Sequence, residues 1–516
     1  MPESRYRPQV ADSTVERILR ARVYDVARET PLDFAPKLSA RFGERVLLKR
    51  EDLQPVFSFK VRGAYNKIVN LSPEARALGI VAASAGNHAQ GVALAARELG
   101  AHATIVMPRT TPEIKVEAVR SLGAEVCLVG DTYDQALERA RELEKENGWV
   151  FVSPYDDLDV IAGNGTIAVE LLRQHPDPIH AVFVPVGGGG LLAGVLSYLK
   201  FLRPETKVIA VESDDAACLA AALDAGRPVP LDRVGIFADG TAVRTIGAEP
   251  FRLIEGRLDG LIRVSVDEIC AAILDLFEDT RVVAEPSGAL AVAGMKRWLA
   301  DSHEASSPRV LVAIQSGANM NFHRLRHVSE RAELGEEREA ILAVTLPERP
   351  GTFRGLCSAL GDHGVTEFNY RWAGSDVAHV FVGVQLARGW AERDEIVAHL
   401  RESGYPVVDM SENELALIHV RHMVGGRGAV ASSDERLLRF EFPERPGALR
   451  RFLELMSPSW NLTLFHYRNH GAAQGRVLAG IEVPPADESA FRKYLDELGY
   501  PWSDETANNA YALFLR

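Results

Sequence analysis

AVFVPVGGGGLLAGVLSYL, residues 181–199, carries no charged side chain, and the fold turns on how it is read. A run this apolar suggests a membrane span, which needs about 20 such residues in one helix. Pro185 and the four glycines Gly187–Gly190 argue against that. They break a helix where a span would need it continuous. The stretch reads instead as a buried strand, a glycine turn and the start of a helix. The same rhythm extends outward on both sides. GIVAAS (79–84), HATIVM (102–107), EVCLVG (125–130), WVFVSP (149–154), KVIAVES (207–213) and RVLVAIQ (309–315) are further strand candidates. Helical segments such as NHAQGVALAARELG and DEICAAILDLFEDT lie between them. Strands that are apolar without alternation are buried on both faces, the pattern of a mostly parallel sheet covered by helices. The first part of the chain is therefore expected to be a doubly wound α/β domain.

The wider composition agrees. The 516 residues are 47% hydrophobic and 25% charged, ordinary for a globular chain with several cores. Lys and Arg number 58 against 71 Asp and Glu, a net charge of −13. An acidic chain is a poor partner for nucleic acid, whose phosphates dominate binding. Cys127, Cys218, Cys270 and Cys357 form no C-x-x-C pair, so neither a disulfide framework nor a zinc cage is indicated. MPESRYRPQV at the start has no apolar signal core. A cytoplasmic enzyme without a membrane span is the expectation.

After about residue 337 the sequence repeats itself. LPERPGTFRGL (346–356) returns as FPERPGALRRF (442–452), TEFNYR (366–371) as TLFHYR (463–468), and GYPVVDMS (404–411) as GYPWSDET (499–506). Three markers recur in one order at nearly one offset. They define two copies of a module reading strand, helix, strand, strand, helix, strand, a ferredoxin-like plan. Each first helix opens on a Pro-Gly pair. The expected boundaries are 1–335 for the catalytic part, 338–412 and 435–508 for the modules, and 413–434 for the linker.

Several motifs in the first part could carry chemistry. In SFKVRGA (58–64), Lys60 is flanked by Phe59 and Val61. A buried lysine with a lowered pKa suits Schiff-base chemistry; a surface lysine is the alternative. SAGNHAQG (84–91) follows a strand and opens a helix, so its free N–H groups could take a carboxylate, or merely cap the helix. GGGGL (187–191) allows the backbone to wrap a phosphate at a helix start. A dinucleotide fingerprint fails at Leu192, and no Walker Lys-Ser/Thr pair follows. Ser316 in QSGANMN (315–321) ends a strand, where open α/β folds bind ligands. Glu285 in AEPSGA (284–289) could be a plain helix start.

Taken together and in this order, SFKVRGA, SAGNHAQG, GGGGL and SGANMNF resemble the fold type II (tryptophan synthase β-like) family of pyridoxal-phosphate enzymes. More closely, nearly the whole chain resembles the biosynthetic threonine dehydratases, with two ACT-like regulatory modules. The resemblance implies pyridoxal 5'-phosphate as cofactor, with Lys60 as its covalent anchor and Phe59 packed on its ring. It implies Asn87 at the ring hydroxyl, Gly187, Gly188, Gly189, Gly190 and Leu191 at the phosphate, and Ser316 at the ring nitrogen. The turn Ser84, Ala85, Gly86, Asn87 and His88 would hold the substrate carboxylate, Ser84 joining Lys60 as a catalytic residue. Glu285 would lie near the ring's edge. The implied reaction is β-elimination from L-threonine to 2-oxobutanoate and ammonia, the first committed step of isoleucine biosynthesis, with serine as a secondary substrate. Isoleucine would inhibit through the modules, valine would oppose it, and the enzyme would be a homotetramer.

Two departures sharpen this reading. Family members that racemise serine carry a second serine where Ala85 stands, and alanine has no proton to give. Their divalent metal uses an Asp six residues beyond a Glu; here the sixth residue after Glu212 is Cys218, so no divalent ion is expected, and a monovalent cation on loop carbonyls stays open. In the modules, Tyr370-Arg371 and Tyr467-Arg468 hold equivalent places. A tyrosine face can pack an aliphatic side chain and an arginine can pair a carboxylate. They are the candidate effector residues, with plain packing as the alternative.

Overall fold

A computed structural model describes residues 8–301, 307–347, 355–356, 359–361, 363, 365–369, 377–422, 434–443, 451–452, 455–457, 459–468 and 474–515. The chain divides into two units, Met1–Val328 and Ser329–Arg516. Among the described residues no helix is long and apolar enough to cross a membrane.

All seven expected strands form in the first unit, but they are shared between two sheets. Strands β1 (Leu32–Phe34), β2 (Arg45–Arg50), β7 (Ala181–Pro185), β8 (Lys207–Ser213), β9 (Gly260–Val264) and β10 (Val310–Gln315) make a six-stranded sheet. Its order is β1-β2-β10-β7-β8-β9, parallel except for the edge strand β1. Strands β3 (Ile80–Ala83), β4 (Ala103–Met107), β5 (Glu125–Leu128) and β6 (Val150–Phe151) make a parallel sheet in the order β5-β4-β3-β6. The run that looked membrane-like is β7, at the centre of the larger sheet, followed by the helix Gly190–Leu202. Val182 and Val184 join the core built from that helix and Leu158–Gln174. Phe183 points the other way and meets Trp298 of the helix Pro286–Ala300, ring centroids 5.7 Å apart. Alternate residues of one strand thus bury themselves against helices on both faces.

The helix Lys60–Val69 packs against Asn87–Glu98, beside the smaller sheet, and against Leu158–Gln174, beside the larger one. Close approach on the second side requires Gly163: a Cβ there would stand 2.5 Å from the Arg62 carbonyl oxygen. Beneath this helix lies an ionic cluster that the sequence did not announce. Lys49, Glu51, Arg62 and Glu170 are all fully buried. Lys49 Nζ lies 2.6 Å from Glu170 Oε2; Arg62 Nε lies 2.7 Å from Glu51 and its NH1 2.6 Å from Glu170. Two cations match two carboxylates, which is what makes their burial tolerable. Arg62 stands two residues after Lys60, so the cluster also fixes the first turn of Lys60's helix. Replacing Glu170 with Gln leaves both cations short of charge, and breaking a buried pair costs about 3–5 kcal/mol. The unfolding midpoint of Glu170→Gln should fall by several degrees; an unchanged thermal transition would show that the cluster does not hold the fold.

The second unit contains the repeat. Strands β11 (Glu339–Pro347), β12 (Val365–Asn369), β13 (Val377–Gln385) and β14 (Val407–Asp409) pair antiparallel in the order β12-β13-β11-β14. Strands β15 (Glu435–Pro443), β16 (Asn461–Arg468), β17 (Gln474–Glu482) and β18 (Trp502–Asp504) repeat it as β16-β17-β15-β18. The helices Trp390–Glu402 and Glu488–Leu498 occupy matching places. Both Pro-Gly pairs lie outside the described residues. The stretch expected as linker from 413 begins with structure: Asn413 caps a helix Glu414–Ile418 whose Leu415, Ala416, Leu417 and Ile418 are buried. Asn508 plays the same part in the second copy, accepting from Ala510 N at 2.9 Å. Asn413 Nδ2 donates to Asn508 Oδ1 at 3.2 Å. Equivalent residues that touch one another mark a two-fold relation between the copies. One face of each sheet contributes to their shared core: Ile341, Ala343 and Phe381 from one, Leu437 and Leu478 from the other.

Candidate active site

The three motifs that end parallel strands, after β3, β7 and β10, meet in one pocket with Lys60. Lys60 is the first residue of its helix. The segment before it is tied to the end of β10. Phe59 N donates to Ser316 O at 3.1 Å, Ala318 N donates to Phe57 O at 2.9 Å, and Ser58 bridges Gly317. Phe57 takes a positive φ of 55°, a conformation that costs a non-glycine residue energy and marks a constrained turn. Lys60 Nζ lies 3.5 Å from the Pro154 carbonyl and 5.3 Å from the centre of the Phe59 ring. The side chain keeps some exposure to the pocket. Burial nevertheless brings its amine down to about 8, against the opposing pull of Glu285.

Opposite the lysine, β7 runs into Gly187–Gly190. Gly189 has φ +88° and caps the helix Gly190–Leu202, so a side chain there would be strained. The first N–H groups of that helix have no partner within it, which makes an anion site. The cradle is walled closely: a Cβ on Gly188 would lie 2.1 Å from the Tyr155 ring, and one on Gly187 2.8 Å from the Thr241 backbone. Leu191, next in the helix, also lines the pocket. Ser316, 3% exposed, donates its hydroxyl to Ser287 O at 3.2 Å.

The Ser84–His88 turn leaves β3 and enters the helix Asn87–Glu98. Gly86 N donates to Ser84 Oγ at 3.3 Å; Ala85 offers only its methyl and backbone. Asn87 is pinned at both ends of its amide. Nδ2 donates to Glu285 Oε1 at 2.5 Å and Oδ1 accepts from Asn319 Nδ2 at 2.7 Å. Glu285 is 3% exposed. Burial, then the charge of Asp239, pushes its carboxyl up to about 7, while the Asn87 bond pulls it down. His88 does not face the pocket. Its Nε2 lies 2.9 Å from the Val152 carbonyl, so that nitrogen carries the proton. Burial and the nearby Lys60 charge hold it neutral, down to about 3. Its ring is a support, and only its backbone N–H is available to a carboxylate.

Glu212 has a structural occupation. Its carboxylate accepts from Leu219 N at 2.7 Å and Ala220 N at 2.9 Å, capping the helix Cys218–Ala225. Cys218 Sγ donates to Gly187 O at 3.2 Å, tying that cap to the cradle. Tyr370 and Arg371 lie outside the described residues. Tyr467 and Arg468 end β16, an edge strand, paired with Val477 and Arg476. The sequence reading missed Tyr155, Asn164, Thr241 and Ser287, all of which line the pocket. Only Ser287 had a signal, its place in AEPSGA.

Residues 23–317 match the family model described as pyridoxal-phosphate dependent enzyme. Residues 330–420 and 426–515 each match that of the C-terminal regulatory domain of threonine dehydratase. The biosynthetic L-threonine dehydratase of Burkholderia multivorans is 55% identical over 504 residues, 97% of this chain and 99% of that one. The Escherichia coli protein of the same name is 55% identical over 498 residues, 96% of each chain. Among solved structures, the processed form of threonine deaminase isoform 2 from Solanum lycopersicum aligns with a TM-score of 0.62 at 47% identity. It covers 63% of this chain and 94% of its own.

Proposed function

The chain belongs to the pyridoxal-phosphate dependent enzymes and, within them, to the biosynthetic threonine dehydratases, and from that premise we propose how its own residues do the work. It is a carbon–nitrogen lyase that uses pyridoxal phosphate to turn L-threonine into 2-oxobutanoate and ammonia, and it carries a C-terminal regulatory region. The pocket fits the cofactor. It has a glycine cradle too tight for any Cβ at Gly188, a lysine amine brought down to about 8, and a neutral hydroxyl at the end of β10. When bound, the cofactor supplies an electron sink for the pair left at Cα, which lets the β-hydroxyl depart.

The chain's residues bind, orient and move the proton. Lys60 holds the cofactor in the resting enzyme, and its ε-amine takes the Cα proton. An amine near 8 is neutral often enough near physiological pH to serve as a base. Gly187–Gly190 and Leu191 hold the phosphate through backbone N–H groups. Asn87, pinned by Glu285 and Asn319, orients the ring hydroxyl. The turn from Ser84 to His88 receives the substrate carboxylate. Phe59 packs on the ring. Ser316 meets the ring nitrogen with a group that carries no charge, which favours elimination over transamination. The observation that carries this account is the stitching of residues 57–59 to 316–318, which sets Lys60 beside Ser316 and across from the glycine cradle.

The regulatory copies, 338–412 and 435–508, sense the pathway's end product: isoleucine inhibits, valine opposes it, and Tyr370, Arg371, Tyr467 and Arg468 contact the effector. The enzyme works in the cytoplasm as a homotetramer. The test is direct. Threonine with the cofactor-loaded enzyme should yield 2-oxobutanoate, and isoleucine should suppress it. No 2-oxobutanoate from threonine would overturn the catalytic reading, and turnover indifferent to isoleucine would overturn the regulatory one.

A further inference from the structure

Asp239 is held by two cations from distant parts of the chain. Lys115 Nζ reaches its Oδ2 at 2.5 Å and Arg324 NH1 its Oδ1 at 3.2 Å. Lys115 stands on the helix Glu113–Ser121, which packs beside β5 of the smaller sheet. Asp239 sits one residue before Gly240 and Thr241, which line the pocket on the larger sheet's side. The Lys115–Asp239 pair therefore closes one sheet's layer onto the other next to the pocket.

Arg324 grips the same loop at two further points. Its NH2 donates to Ile236 O at 3.1 Å, and its guanidinium lies 5.8 Å from the centre of the Phe237 ring. His327, one turn on, packs its ring on Phe237 at 5.5 Å. Arg324 is only 5% exposed. It opens the helix Arg324–Gly335, which runs past Val328, the last residue of the first unit. Two later residues of that helix belong to the second unit's interior. Arg331 pairs with Glu414, which Arg476 of β17 also holds, at 2.6 Å. Leu334 enters the core shared by the two copies. The same helix thus carries Arg324, which holds the pocket loop within the first unit, and Arg331 and Leu334, which pack within the second.

We propose that Arg324 is the positioning residue through which the regulatory copies govern the pocket, by setting Asp239 and with it the loop 238–241. The inference rests on the reading of those copies as isoleucine sensors. Allosteric coupling needs an element whose arrangement both sites bias. Loop 238–241 qualifies because it has no slack on the pocket side. A Cβ at Gly240 would meet Ser287 Oγ at 2.9 Å and Glu285 Oε1 at 3.5 Å, and the Thr241 backbone closes on Gly187. Thr241 Oγ1 shares a hydrogen bond with Ser287 Oγ at 3.2 Å. A small displacement of Asp239 is therefore felt at the phosphate cradle and at Glu285 together.

The experiment uses the full-length, cofactor-loaded enzyme as wild type, Arg324→Gln and Arg324→Lys. Threonine saturation is measured with and without isoleucine, and isoleucine binding is measured separately by calorimetry. In the wild type isoleucine should raise the half-saturating threonine concentration by about fivefold or more, the scale of ordinary coupling. In Arg324→Gln the shift should fall below about twofold while isoleucine still binds within about threefold of the wild-type affinity. Arg324→Lys keeps the charge and should recover part of the shift. A full wild-type shift in Arg324→Gln overturns the proposal, as does a lost shift that comes with lost isoleucine binding. If Arg324→Gln does not fold, a full shift without loss in Arg324→Lys overturns it and a weakened shift supports it. A wild type that ignores isoleucine overturns the sensor reading itself and this inference with it, a result distinct from a responsive wild type with an equally responsive variant.

Discussion

Lys60→Ala is expected to lower threonine turnover by at least about a thousandfold while leaving the fold in place. The size follows from two losses at one atom. The ε-amine anchors the cofactor and moves the Cα proton, so its removal takes away both the attachment and the base. The fold should survive because the side chain's described contacts are slight: one carbonyl at 3.5 Å and the face of Phe59. What holds this part of the chain lies one turn deeper, in the Arg62 cluster and the backbone bonds from 57–59 to 316–318. Two measurements decide the matter. Circular dichroism should match the wild type closely, the thermal midpoint should fall only by what the cofactor's attachment contributes, and 2-oxobutanoate release should be lost. Lys60→Arg is the control for charge. It keeps a cation in the pocket but cannot shed its proton at working pH, so it should be as inactive as the alanine variant. Retention of more than about a tenth of the wild-type rate, an effect of only ~1.4 kcal/mol, would remove Lys60 from the chemistry.

The sequence exposed those parts of the site that are local. A strand, a glycine run and a helix start are contiguous, so their meeting could be read from order alone. The apolar β7, uniform on both faces, announced a covered sheet for the same reason. Three kinds of feature stayed hidden. Strand β2, RVLLKR, is not a run of uniform apolar residues, because of Arg45, Lys49 and Arg50, yet Lys49 is fully buried. Its charge is cancelled by Glu170, more than a hundred positions away, and no local pattern carries that pairing. The division of the strands into two sheets was hidden too, since buried parallel strands look alike whichever sheet they join. Finally, the walls of the pocket come from single residues in loops. Tyr155 and Thr241 have no motif of their own; each matters because a glycine elsewhere leaves it no room to retreat. His88 shows the reverse case. It stands within a motif of the site, but its ring is bound to Val152 and kept neutral by burial.

Ending the chain after Gly335 should preserve threonine turnover and abolish inhibition by isoleucine. Preservation follows from where the cores lie. Among the described residues, the apolar clusters around both sheets of the first unit are built from residues of that unit, up to Ile314. Every residue assigned to the cofactor or substrate also precedes Asn321, and Arg324 keeps its hold on Asp239. The loss follows from what is removed. A sensor can bias the pocket only by its differential affinity for two states, about 1–3 kcal/mol for ordinary coupling. With both copies gone that bias is zero, and the threonine saturation curve should be the same at every isoleucine concentration. Single changes in the full chain should divide the effect without ending it. Tyr370→Ala or Tyr467→Ala should raise the isoleucine needed for half inhibition and leave the basal rate nearly intact. The two copies share a fold and a two-fold contact through Asn413 and Asn508, so unequal responses of the two tyrosine variants would show that the copies have divided the labour. A shortened enzyme still inhibited in parallel with the full chain would put the sensor in the catalytic unit, and the repeat would need another purpose.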